Sequence, residues 1–201
     1  SCVLTGNIIS NVEIFMNSKD DGFVYFWGYK WDGSGVRQSI PKLIDGFTKI
    51  KKIYCGKEHI MAINGNYGFT KTLISIIENN KLYVYGRNKY GQLGLSYWRD
   101  RFIKPTLNSF FWNKKKVIKM ASGAMHCIAL CGKQFFIWLT FLANGELYSW
   151  GNNAFHQLGH GDKENRNTPT LISFFKWMNI KDVFAFYNQS FVILGLYYLL
   201  I

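Results

Sequence analysis

Four histidines, His59, His126, His156 and His160, are the side chains of this 201-residue chain best suited to acid–base work or metal binding. Two of them hold the same place in a short motif. Gly56-Lys57-Glu58-His59 and Gly123-Ala124-Met125-His126 each run straight into an apolar stretch. A histidine there either satisfies buried backbone groups or faces a partner. No metal set and no nucleophile–base pair can be assembled from the four, so neither covalent catalysis nor a metal or cofactor is expected. The four cysteines, Cys2, Cys55, Cys127 and Cys131, contain no Cys-x-x-Cys pair. Cys2, Cys55 and Cys127 sit in apolar runs as small hydrophobes, which argues for a reducing setting and against zinc.

Lysines supply the other chemistry. The formal charge is +12, from 24 Lys and Arg against 12 Asp and Glu. Two clusters, Lys49, Lys51 and Lys52 and then Lys114, Lys115, Lys116 and Lys119, fall at matching distances from the two histidine motifs. Lys49 aligns with Lys116 and Lys52 with Lys119, so the clusters would stack as a basic stripe suited to phosphates or an acidic surface. A solvated loop before a strand is the competing reading. Asn179 and Asp182 stand at the third set of positions and end the stripe.

These residues are placed by a repeat. Asp21-Gly22-Phe23-Val24-Tyr25-Phe26-Trp27-Gly28, Asn79-Asn80-Lys81-Leu82-Tyr83-Val84-Tyr85-Gly86 and Asn144-Gly145-Glu146-Leu147-Tyr148-Ser149-Trp150-Gly151 share a turn dipeptide and a short strand ending in aromatic-Gly. Alternation with a period of two marks the strand. A loop follows in which Asn88 and Asn153 match and Gln-Leu-Gly recurs, ending at Gly94 and Gly159. Here glycine permits positive φ, Asn bonds its own backbone, and Leu93 or Leu158 plugs the core beneath. Pro41, Pro105 and Pro169 come next, which predicts strand edges. Gly28, Gly86, Gly151, Gly56 and Gly123 are read as structural members of the repeat.

The units run over 21–63, 79–130 and 144–194. Residues 1–4 read as the tail of a preceding unit, since Ser1-Cys2-Val3-Leu4 matches Ser190-Phe191-Val192-Ile193; residues 195–201 read as the start of a following one. The third unit has Gln189 where the others have histidine, and His156 stands where the second has Gly91. Hydrophobic residues make up 48% and aromatics 18%, enough for a core. The apolar runs at Phe135 to Ala143 and Phe191 to Ile201 are too short for a bilayer-spanning helix, so no membrane insertion is expected.

The aromatic-Gly strand end, Asn-x-x-Gly-Gln-Leu-Gly, the Pro segment and Gly-x-x-His before an apolar strand together resemble the regulator of chromosome condensation repeat family. Tyr85 to Gly94 is the most specific stretch. The resemblance implies an all-β fold, a β-propeller of four-stranded antiparallel blades, here partial: about three repeats plus fragments of two more, completed by the rest of a larger parent chain. It implies a non-catalytic protein-binding surface, most specifically nucleotide exchange on a Ran-type small GTPase. Of the family's partner-facing histidines only His59 and His126 match. Chromatin or nucleic-acid binding through Lys49, Lys52, Lys114, Lys115, Lys116 and Lys119 is one alternative, and an interaction domain like those of HECT-type ubiquitin ligases is another. The implied location is intracellular, nuclear or cytoplasmic. The family's plant ultraviolet receptors need Trp where this chain has Lys57-Glu58 and Ala124-Met125.

Overall fold

A computed structural model describes residues 11–16, 22–29, 37–47, 50–57, 59–64, 81–111, 116–132 and 145–195. Thirteen strands form four antiparallel sheets among these residues, with two 3-10 turns at Ser109–Phe111 and Ser173–Phe175 and no α-helix. The first sheet holds β1 (Asn11–Met16), β2 (Gly22–Tyr29) and β3 (Arg37–Leu43). The second holds β4 (Ile50–Cys55), β5 (His59–Asn64), β6 (Lys81–Arg87) and β7 (Arg101–Leu107) in sequence order. The third repeats it with β8 (Lys116–Ser122), β9 (His126–Gly132), β10 (Glu146–Gly151) and β11 (Arg166–Leu171). The fourth contributes β12 (Ile180–Phe186) and β13 (Gln189–Leu194).

Each sheet is a blade in a row. Three apolar clusters lie between consecutive sheets: one around Phe47, Ile53 and Ile60, one around Met61, Phe111 and Trp150, one around Ile128, Leu147 and Val183. First strands of successive blades touch, β4 against β8 and β8 against β12, so the blades converge on that side. Stacking of this kind hides sheet faces and shelters strand edges. The sheets straddle the sequence units. The second blade, for example, takes β4 and β5 from unit 21–63 and β6 and β7 from unit 79–130. Neighbouring units are thereby interlocked.

Local rules explain the strands. β6 buries Leu82, Val84 and Gly86 and half-exposes the residues between, the two-residue alternation of a pleated strand. Pro41, Pro105 and Pro169 lie in β3, β7 and β11, each the edge strand of its sheet, where a missing N–H breaks no ladder. Register shifts recur at one position in the middle strands: Phe26/Gly28, Val84/Gly86 and Ser149/Gly151. A second set recurs in the first strands: Ile50/Lys52, Val117/Lys119 and Ile180/Asp182. Such bulges bend the strand and re-aim its side chains.

Residues 1–4, 65–80, 133–144 and 196–201, which include both terminal fragments and the inter-strand insertions, lie outside the described residues. The strand paired with β2 is Asn11–Met16. Among the described residues no helix is long and apolar enough to cross a membrane.

Candidate functional site

The turns joining the first two strands of each blade come together. Lys57 N–H donates to the Ala124 carbonyl at 3.1 Å, and Ala124 N–H donates to the Tyr187 carbonyl at 2.8 Å. Three equivalent turns are thus stitched blade to blade by main-chain bonds. The approach is close enough to demand glycine. A Cβ on Gly56 would sit 2.0 Å from the His59 ring and 2.7 Å from the Gly123 carbonyl; one on Gly123 would sit 2.2 Å from the His126 ring and 2.7 Å from the Tyr187 carbonyl.

Each histidine in these turns reaches across to the following blade. His59 Nε2 lies 3.1 Å from Cys127 Sγ, and that thiol donates to the Gln92 carbonyl at 3.3 Å. His126 Nε2 lies 2.9 Å from Ser190 Oγ, and that hydroxyl donates to the Gln157 carbonyl at 2.8 Å. Since the thiol and hydroxyl spend their hydrogens on carbonyls, each must accept from the imidazole, which places the proton on Nε2. Nδ1 of both rings is then a buried acceptor with no hydrogen-bond partner, stacked over glycine. Burial holds both rings neutral, lowering His59 to about 3 and His126 to about 4.

This arrangement favours the first of the two readings of the histidine motif and adds a bond to the buried Cys127. His59 and His126 are both fully buried, so neither ring is presented to a partner. Cys127 is more than a small hydrophobe, because its sulfur links two blades. Burial also pushes its thiol up, so it is not a thiolate nucleophile.

The basic stripe is partly neutralised. Register places Lys52, Lys119 and Asp182 at one bulged position in three successive first strands. Lys119 Nζ meets Asp182 Oδ2 at 2.7 Å, so its charge is met within the protein. Lys52 is exposed, and Lys116 opens β8. Lys49, Lys114 and Lys115 lie outside the described residues.

The loops after β6 and β10 are closed by the predicted asparagines. Asn88 Oδ1 accepts from Leu93 N–H at 2.9 Å, and Asn153 Oδ1 accepts from Leu158 N–H at 3.0 Å. Leu93 and Leu158 are fully buried, worth about 1.5–3 kcal/mol each relative to exposure. Gly94 and Gly159 hold positive φ of 65° and 73°, and Gly86 and Gly151 hold 109° and 105°. Gly91 must be glycine because β11 of the next blade passes 2.5 Å from where its Cβ would lie; His156 takes a similar φ of 60° at the matching position in the following blade.

Two pairings were not visible in the sequence. His160 Nε2 lies 3.0 Å from Ser149 Oγ, a spacing that would suit a nucleophile and base. The serine is fully buried and donates its hydrogen to the Leu158 carbonyl, so the pair is structural. Asp162 grips Arg166 through two bonds, at 2.8 and 3.0 Å, and also accepts from Asn153 and Glu164 N–H. The guanidinium holds that carboxyl well below the usual carboxylate range. Among the described residues no group of three or more His, Cys, Asp or Glu could hold a metal ion.

Comparisons agree with this geometry. The profile of the Regulator of chromosome condensation (RCC1) repeat matches residues 79–130 and 144–193. The chain is 26% identical over 162 residues to the Ultraviolet-B receptor UVR8 of Arabidopsis thaliana, covering 77% of this chain and 31% of the receptor. It is 36% identical over 121 residues to the human X-linked retinitis pigmentosa GTPase regulator, covering 60% of this chain and 9% of that protein. Prp20p of Saccharomyces cerevisiae, a protein with binding properties to Gsp1p and histones, superposes with a TM-score of 0.62 at 20% identity. That match covers 92% of this chain and 40% of Prp20p. The chain thus spans less than a third of the curated relatives it matches here.

Proposed function

Since the chain belongs to the regulator of chromosome condensation (RCC1) repeat family, we propose that it serves as part of a protein-binding propeller whose specific activity is nucleotide exchange on a Ran-type small GTPase. The observation that carries this reading is the bonded row of turns at Lys57, Ala124 and Tyr187. It ties three neighbouring blades together through main-chain bonds, with Lys57 and Tyr187 exposed along it. Exchange needs no covalent chemistry. A surface that binds the nucleotide-free GTPase more tightly than the loaded form lowers nucleotide affinity by the same factor. The likeness to Prp20p, which binds Gsp1p, supports the choice of GTPase class. The family's settings make the nucleus or cytoplasm the proposed location.

Release of fluorescent GDP from a Ran-type GTPase, measured with the full-length protein, tests this reading. Acceleration in proportion to protein concentration is expected; an unchanged rate would remove exchange and leave the scaffold. The chromatin alternative is weakened by the Lys119–Asp182 pair, which takes one cation out of the stripe.

A further inference from the structure

The loops after β6 and β10 are built alike up to one point and then diverge. Asn88 Nδ2 donates to the Tyr97 carbonyl at 3.3 Å, as Asn153 Nδ2 does to the Asp162 carbonyl at 2.8 Å, so Tyr97 stands where Asp162 stands. Strand register pairs Gly86 with Phe102 and Gly151 with Arg166, so Phe102 stands where Arg166 stands. The Asp162–Arg166 ion pair of the later blade is thus replaced, in the earlier one, by two rings. Tyr97 and Phe102 meet edge to face at 5.8 Å, with the Arg99 guanidinium 5.3 Å above Phe102.

The replacement changes the charge balance of the loop. Residues 87–101 carry Arg87, Lys89, Arg99 and Arg101 against Asp100, four minus one, or +3; residues 152–166 carry Lys163 and Arg166 against Asp162 and Glu164, two minus two, or zero. Arg87 and Arg101 lie directly opposite each other across the strand pair. Asp100 Oδ1 lies 3.7 Å from Arg87 Nε and is largely exposed. Arg101 Nε is buried with no hydrogen-bond partner among the described residues, an unmet donor of the kind folded proteins rarely keep. Beside these cations, Trp98 and Tyr97 are 59% and 49% exposed, the residue types that with Arg dominate protein–protein hot spots.

We infer that residues 97–101 form a docking surface for an acidic protein segment: its carboxylate binds at Arg101, and its apolar flank lies on Trp98 and Tyr97. A guanidinium fork matches a carboxylate bidentately, as Arg166 and Asp162 demonstrate in the sister loop. Asp100, next in sequence to Arg101 and largely exposed, repels an incoming carboxylate. A nucleic-acid strand fits less well, because its backbone calls for a row of cations along a groove and these form one compact cluster. The inference rests on the protein-binding reading but not on nucleotide exchange.

The test is an anisotropy titration of the full chain with a fluorescein-labelled peptide, Gly-Glu-Asp-Leu-Glu-Asp-Gly. Arg101→Gln and Trp98→Ala should each weaken binding about tenfold. Asp100→Asn should tighten it about threefold, which keeps the idea testable if Arg101→Gln does not fold. Lys163→Ala, in the sister loop, should change nothing. Equal affinity across all four variants overturns the surface, as does tighter binding of a labelled oligo-dT displaced through the same residues. A Ran-type GTPase still bound by a chain that ignores the peptide would discard this surface alone and leave the scaffold reading standing.

Discussion

His59 and Cys127 belong to different blades, yet His59 Nε2 and Cys127 Sγ are 3.1 Å apart, and the link recurs one blade on as His126 to Ser190. One device, an imidazole donating to a small hydroxyl or thiol that donates to a glutamine carbonyl, fastens successive blades. Cys127→Ser should therefore be tolerated, since Ser190 already fills the equivalent place. Cys127→Ala leaves the His59 donor buried and unpaired and should cost about 1–3 kcal/mol. Denaturant melts of the two variants measure the difference.

Acid should loosen the fold through the same histidines. Both have folded pKa values below the usual 6.5, about 3 for His59 and about 4 for His126. Between those values and 6.5 the unfolded chain binds more protons, so stability falls as pH drops below 6.5. At pH 5 each ring should remove about 2 kcal/mol. Melting temperature against pH should show the slope, and His59→Gln should flatten it.

Glycine substitutions should separate close approach from backbone conformation. Gly123→Ala drives a methyl into the His126 ring and the Tyr187 carbonyl and should cost about 3 kcal/mol or more. Gly161, at φ 85° with nothing within 4 Å of its would-be Cβ, should lose only about 1–2 kcal/mol as alanine.

Anion binding should ignore Lys119. Its ammonium is met by Asp182, so Lys119→Ala should leave the affinity and salt slope for duplex DNA unchanged, while Asp182→Asn should raise both. A marked loss on Lys119→Ala would restore the stripe as a binding element.

Expressed by themselves, these 201 residues should self-associate through the last two strands. Phe184, Phe186, Phe191 and Ile193 are all exposed on β12 and β13, and a groove of about 560 Å³ beside them is lined by Phe155, Ile172 and Phe175. Apolar patches of this kind drive association. Sedimentation should show mass rising with concentration, and Phe184→Glu with Phe191→Glu should suppress it.

What the sequence discloses follows from where each constraint lies. Glycines at positive φ, the loop asparagines and the edge prolines obey local rules, so Gly86, Asn88 and Pro105 were readable in one dimension. The partner of His59 was not, because Cys127 lies on the next blade, 68 residues further on. Cys127 read as a hydrophobe because its type hides its likeness to Ser190. The exchange of Asp162 and Arg166 for Tyr97 and Phe102 was invisible until strand register aligned loops whose sequences differ there.

If the propeller promotes nucleotide exchange, its surface must prefer the nucleotide-free GTPase. Affinity of the full-length protein for a Ran-type GTPase, compared between the nucleotide-free and GDP-bound forms by interferometry, tests it most directly. The nucleotide-free form should bind more tightly by about a hundredfold, near 3 kcal/mol of coupling. Equal affinity for the two forms would contradict it.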